Sequence, residues 1–270
     1  MRIHHMNCAT MCPPFAAAII PNGRMIAHVL AIETTSGIVL VDSGLGTADC
    51  ESPRARLGLP FLLAVGPALT QAETALAQLR RLGFSARDVR HIVLTHLDLD
   101  HAGGLSDFPD AEVHVLERER ASAFGPLPRR HRARYRAAQF AHQPRWRDYA
   151  AVGERWFGFQ AVRALPGVGP EILLVPLHGH TLGHVGVAVR GDQRWLLHAG
   201  DAYFDANELR AGRAAPVLEG FQRLVAMDLA QRLENRARLI ELQRTGSVEI
   251  FCAHDAAEWA RLSAASLAMS

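Results

Sequence analysis

Thr95-His96-Leu97-Asp98-Leu99-Asp100-His101, followed by Ala102-Gly103-Gly104, is the stretch that decides the fold. The run before it, His91-Ile92-Val93-Leu94, is short, apolar and β-branched, which predicts a buried strand. Where that strand ends, four side chains able to bind metal appear within six residues, two imidazoles and two carboxylates. Taken at alternate positions, His96, Asp98 and Asp100 would point one way from an extended turn, with His101 beside them. Such a donor set suits a hard or borderline divalent cation. The glycines are expected to let the backbone turn tightly beneath the site. A polar loop capping the next helix would also carry acids, but packing alone gives no reason for four such groups after a buried strand.

Other apolar runs end in the same manner. Residues 25–34 and 38–41, joined by Thr35-Ser36-Gly37, read as a hairpin that ends at Asp42-Ser43-Gly44. Asp42 is equally a turn cap or a residue serving a site at the strand's carboxyl edge. Ile172-Leu173-Leu174-Val175 leads into Pro176-Leu177-His178-Gly179-His180-Thr181-Leu182-Gly183-His184. Residues 185–189 and 195–198 read as a strand pair, followed by Ala199-Gly200-Asp201-Ala202-Tyr203-Phe204. Residues 248–252 form the last strand and run into Ala253-His254-Asp255.

Between these runs, Thr70-Gln71-Ala72-Glu73 has capping-box spacing ahead of Leu76, Leu79 and Leu82. Residues 221–242 read as one long helix. Residues 50–69 read as irregular, broken by Pro53, Pro60 and Pro67. Phe61 and its apolar neighbours there would line a substrate entrance or a contact with a second copy of the chain. From residue 117 to about 160, Arg129, Arg130, Arg132, Arg134, Arg136, Arg145 and Arg147 sit among Tyr135, Phe140, Trp146 and Tyr149. That pattern predicts a helical, arginine-rich insertion acting as a lid or an anion-attracting rim.

Bulk composition narrows the class. With 270 residues and 49% hydrophobic content the chain can bury a full core, and it is read as one domain over residues 1–270. A formal net charge of +2 makes no demand for nucleic acid, and every basic residue is arginine. The four cysteines form no disulfide framework, which points to a reducing, cytoplasmic setting. Cys8 and Cys12 near His4 and His5 read as small residues on an opening strand rather than a thiol metal site. The start lacks the apolar core of a signal peptide, and no apolar run is long enough to span a bilayer.

Strand ends carrying His96 to His101, His180 with His184, Asp201 and His254, in that order, resemble the metallo-β-lactamase superfamily over nearly the whole chain. The resemblance implies an α/β (α+β) fold, an αββα four-layer sandwich with the site at one edge between two sheets. It also implies that His96, Asp98 and His180 hold a first metal, that Asp100, His101 and His254 hold a second, and that Asp201 bridges them. His184 and Asp42 would support these ligands from behind. Asp98 stands where the common pattern has histidine. A carboxylate there favours iron or manganese relative to an all-imidazole zinc site, although zinc is the first metal expected.

The resemblance further implies hydrolysis of a small ester, lactone or thioester by a metal-bound hydroxide, with Asp100 or Asp201 relaying a proton. Acyl-homoserine lactonases and glyoxalase II-like members resemble the chain most. Tyr203, Phe204 and Phe61 are the expected substrate-side residues. The alternatives are an iron redox or ligand-binding relative of the same fold, or a phosphodiesterase using the arginine-rich insertion.

Overall fold

The computed structural model describes the chain apart from residues 15–19, 21–22, 127, 129–130, 132–133, 192–193 and 269–270. Among the described residues twelve strands form two six-stranded sheets. The first runs β1 (Ile3–Met11), β2 (Met25–Thr34), β3 (Gly37–Val41), β4 (Val89–Val93), β5 (Glu112–Leu116) and β6 (Arg145–Tyr149), in that spatial order. The second runs β12 (Val248–Phe251), β11 (Trp195–His198), β10 (Val185–Arg190), β9 (Gly169–Pro176), β8 (Phe159–Leu165) and β7 (Glu154–Trp156).

Side-chain alternation explains why the sheets stack and why both are also covered on the outside. In β2, Leu30 and Ile32 face the second sheet and pack with Val185, Val187 and Phe251. Val29 and Ala31 face the other way, toward Leu76 and Leu79 of the helix Ala75–Arg81. The second sheet repeats the arrangement. Its outer face, with Val175, Ala188, Leu197 and Ile250, is covered by Leu239 and Leu242 of the helix Leu229–Arg244. The result is the four-layer sandwich expected from the resemblance. Each fully buried Val, Leu or Ile contributes about 1.5–3 kcal/mol, so the central layer is where most of the stability resides.

β3, β4 and β5 are mutually parallel, as are β11 and β12, so several strands deliver their carboxyl ends to one side of the sandwich. The two sheets are stitched there by Val185 N–H donating to the Thr95 carbonyl at 2.9 Å, and by His28 N–H donating to Ala253 at 2.9 Å.

Three local expectations are corrected. Glu73 does not close a capping box. It accepts from Thr10 at 2.7 and 2.8 Å, and Thr74 caps the helix by accepting from Ala77 N–H. Residues 50–69 are helical in short pieces, because Pro53 and Pro60 sit at the first turns of Pro53–Arg56 and Leu59–Val65, where a missing N–H costs nothing. The long helix is two, Pro216–Val225 and Leu229–Arg244, with Asp228 capping the second. The amides of Met227 and Asp228 in the break both donate to the Gly179 carbonyl, at 3.0 and 2.9 Å, so the interruption clasps the His180 loop.

The expectation of a helical insertion near 117–160 also changes. Among the described residues the insertion holds the helix Glu117–Phe124 and a single 3-10 turn, Ala137–Gln139, and Arg145–Tyr149 is strand β6, paired parallel to β5. Trp146 and Tyr149, three residues apart, face opposite sides of this strand and pack into different clusters of the core.

Candidate metal centre

His96 and Asp98 leave the end of β4 in a loop, and Asp100 and His101 belong to the short helix Leu99–Ala102. The chain therefore turns between Asp98 and Asp100, and the four side chains do not point one way. His96, Asp98, His180 and Asp201 converge as one group, and Asp100, His101 and His254 as another. Asp201 lies between the two. Its Oδ2 is 3.3 Å from His180 Nε2, 3.8 Å from His96 Nε2 and 3.0 Å from His254 Nε2, and its Oδ1 is 3.2 Å from His101 Nε2.

The far sides of the His96, His101 and His254 imidazoles are fixed. Buried Asp42 accepts from Thr95 N–H at 2.7 Å, Thr95 Oγ1 at 2.8 Å and His101 Nδ1 at 2.8 Å. Because Thr95 gives its proton to Asp42, it accepts from His96 Nδ1 at 2.9 Å. His254 Nδ1 donates to the Ile26 carbonyl at 2.8 Å. These bonds leave the Nε2 atoms of His96, His101 and His254 facing the centre. Asp42 takes a left-handed backbone conformation, φ 60°, uncommon for a residue with a Cβ and sustained here by its three bonds. Of its two readings, support of a site is the one this geometry carries. His184 Nδ1 donates to Leu177 O, and its Nε2 accepts from Asp201 N–H at 2.9 Å, so it positions the backbone of Asp201.

A metal fits these residues on the structure's own terms. His96 Nε2, His101 Nε2, Asp98 Oδ1 and Asp201 Oδ1 are buried without a hydrogen-bond partner. Each such atom costs about 1–3 kcal/mol unless something fills it. Cations held in the two groups would satisfy all four. Charge is already organised for it. Burial would raise the Asp201 carboxyl, but His254, His101, His180 and His96 hold it well below the usual carboxylate range. Burial would lower His101, yet Asp201, Asp42 and Asp100 push it well above the ordinary imidazole value. His180 moves the other way, down to about 3, through burial and the neighbouring Arg134 guanidinium.

A further cluster, His91, Glu112 and His114, contrasts with the centre. There Glu112 accepts from Arg147 at 2.7 Å, His91 and His114 bond each other at 3.0 Å, and His114 bonds Tyr149 at 2.7 Å. Its donors are occupied, which fits a structural cluster.

The centre forms the floor of a cavity of about 940 Å³. Asp98, Asp100, His180, Asp201 and His254 reach it, and its walls are largely apolar, with Met11, Phe61, Phe204, Leu218, Phe221 and Leu224 among them. Phe61 and Phe204 stand on the cavity as expected. Tyr203 does not. It is fully buried and donates to Glu258 at 3.2 Å, because successive residues after Asp201 turn to opposite sides.

Arg134 enters the site, with Nη1 2.6 Å from Asp98 Oδ2. Arg145 and Arg147 lie away on β6 with Glu112, and Arg136 donates to the Ala55 carbonyl. Arg129, Arg130 and Arg132 lie outside the described residues. The glycines after His101 act differently from expectation too. Gly103 has an ordinary helical φ of −61°, and what forbids a side chain there is crowding against the Asp49 carboxylate.

Glu119 was not legible in the sequence. Fully buried, it accepts from Leu97 N–H at 3.0 Å, Tyr135 at 3.0 Å, Thr181 at 2.7 Å and Gly183 N–H at 3.0 Å. One carboxylate thereby joins the His96–Asp98 loop to the His180–His184 loop.

A two-sheet sandwich with a histidine- and aspartate-lined edge defines a class, and the chain belongs to it: residues 22–254 match the family model of the metallo-beta-lactamase superfamily. A probable metallo-hydrolase of Mycobacterium tuberculosis is 42% identical over 258 residues, 94% of this chain and 80% of that protein. An N-acyl homoserine lactonase of Rhizobium johnstonii is 26% identical, covering 83% of this chain and 79% of its own length. Among solved structures, an N-acyl homoserine lactone hydrolase with N-hexanoyl-L-homoserine bound superposes with a TM-score of 0.71 at 20% identity, covering 95% of this chain and 94% of its own. The chain is an enzyme of the metallo-β-lactamase superfamily.

Proposed function

We propose that this enzyme hydrolyses a small ester or lactone with a sizeable apolar portion, using metal ions held by His96, Asp98, His180, Asp201, Asp100, His101 and His254. The observation that carries the reading is the convergence of unpartnered buried donors at the floor of a 940 Å³ apolar cavity. When bound, divalent ions supply water ionised near pH 7, against about 15.7 in bulk, and a positive charge for the developing oxyanion. The chain does the rest. His184 and Asp42 hold Asp201 and His101 in place. Asp100, at the edge of the cavity, and Asp201 are the carboxylates able to carry a proton to the leaving group. The walls of Phe61, Phe204 and Phe221 exclude water and bind the apolar part of the substrate.

Zinc is the first metal to test, supported by a neighbour described as a dizinc quorum-quenching lactonase, at a TM-score of 0.53 and 18% identity. Lactones are the first substrate class, supported by the lactonase relatives. The third residue after Asp201 is Phe204, which brings a ring and no hydroxyl to the cavity, so leaving-group recognition rests on apolar contact. A second reading, an iron redox protein, draws on the hard carboxylate donor of Asp98.

The test is a panel of lactones, esters and thioesters of increasing acyl length with metal-loaded protein. Rate should rise with pH through an apparent pKa near 7. Asp201→Asn should fold and lose at least about 100-fold in turnover, the upper end of what losing a merely supporting group costs. No cleavage of any member, or an Asp201→Asn variant with full activity, overturns the reading. An iron-only protein that consumes oxygen favours the second.

A further inference from the structure

Arg134 is placed where its guanidinium touches the metal-ligand atoms themselves. Nη1 lies 2.6 Å from Asp98 Oδ2 and 3.0 Å from His180 Nε2, and those two acceptors are 3.0 Å apart. It therefore uses the lone pairs that a metal ion between Asp98 and His180 would need. Both halves keep unpartnered donors, His96 Nε2 and Asp98 Oδ1 in one and His101 Nε2 in the other, but among the described residues a guanidinium sits only on Asp98 Oδ2 and His180 Nε2.

The guanidinium is also anchored from behind. Nη2 donates to the Val225 carbonyl at the end of the helix Pro216–Val225, and the side chain is only 8% exposed. The next residue, Tyr135, is tied to Glu119, which fixes the backbone. Charge points the same way. Asp98, Asp100 and Asp201 bring three negative charges to the centre, which one divalent ion and one guanidinium neutralise.

We propose that Arg134 is an internal competitor for the metal position between Asp98 and His180, so that the centre fills unequally. One ion binds tightly among Asp100, His101, Asp201 and His254, and a second must displace the guanidinium. With one ion bound, Arg134 supplies the second positive charge facing the cavity. The proposal rests on the reading of this cluster as a metal centre, but not on what it hydrolyses.

The experiment is metal binding without turnover. Chelator-stripped protein is titrated with zinc by calorimetry, and elemental analysis follows dialysis. The wild type should bind one ion tightly and the second at least about tenfold more weakly, because charge-assisted hydrogen bonds must break first. Arg134→Gln and Arg134→Ala should each tighten the second ion at least about tenfold and leave the first unchanged. Equal affinity for two ions in the wild type, or an unchanged second affinity in folded variants, overturns the proposal. Should neither variant fold, ¹⁵N-arginine spectra of the wild type decide. The Arg134 signal should move with the second equivalent of zinc, and movement complete at the first equivalent overturns it. Failure of the ester panel alone leaves these outcomes untouched.

Discussion

Asp98 stands where the resemblance implies a histidine, and its surroundings show how a carboxylate is accommodated there. Burial would raise its pKa, but Arg134 and His96 hold it well below the usual carboxylate range, so it remains an anionic, hard donor. Replacing it by imidazole removes both the charge and the partner of Arg134. Asp98→His should therefore shift metal preference from manganese or iron toward zinc, measured by competition between zinc and manganese for the two proteins. Unchanged preference would remove Asp98 from the ligand set. Asp42 acts one step further out. Asp42→Ala removes the acceptor for both His101 and Thr95, and metal affinity should fall about 10–100-fold with the fold retained. Calorimetric titration reads this directly.

At the scale of elements, the centre depends on how closely loops approach. Gly183 packs so tightly that a Cβ would overlap the backbone of Glu119, at the start of the arginine-rich segment. Gly183→Ala should cost about 1–3 kcal/mol as overpacking does, and it should loosen His180 at the same time. A melting curve and a zinc titration on the same variant check the pair of effects. A full loss of stability with unchanged zinc affinity would separate the two roles.

The C-terminal helix Ala256–Ala268 contributes a titrating group. Burial, outweighing its bonds to Cys252 N–H and Tyr203, raises the Glu258 carboxyl to about 7. The folded state thus prefers the protonated acid. Its contribution is fully present below about pH 4.5 and is lost as pH rises to about 7, by up to about 3 kcal/mol. Glu258→Gln should flatten that part of the stability profile, seen in urea unfolding at pH 5 and pH 8. An equal slope in both proteins would place the linkage elsewhere.

For the whole molecule, the cavity is shaped by segments far apart in sequence: the helix Leu59–Val65, the helix Pro216–Val225, and the metal loops. Leu59, Leu63, Val217 and Leu224 remain exposed on the first two. No helix among the described residues is long and apolar enough to cross a membrane. Phe221→Ala should raise KM for long acyl chains more than for short ones, since about 25 cal/mol is lost per Å² of apolar contact. Equal effects on both would place the acyl portion elsewhere.

The strands and the candidate ligands at their ends were legible because both signals are local. A β-branched run followed at once by histidine and aspartate needs no partner to be recognised, and His96, Asp100, His101, His180, Asp201 and His254 meet on that basis. Asp42 could be placed at a strand end, but its role depended on Thr95 and His101 approaching from the loop and short helix that follow β4. Arg134 was one arginine among seven, and Glu119 one acid on a short polar helix. Nothing in their sequence neighbourhoods marks them, because what selects them is distance in space: to Asp98 and His180 in one case, and to Leu97, Thr181 and Gly183 in the other. Tyr203 and Phe204 make the same point in reverse. Sequence offered both as cavity residues, and only the direction of the turn after Asp201 decided between them, packing Tyr203 with Leu239 and Leu242 and leaving Phe204 beside Phe61 and Leu218 on the cavity.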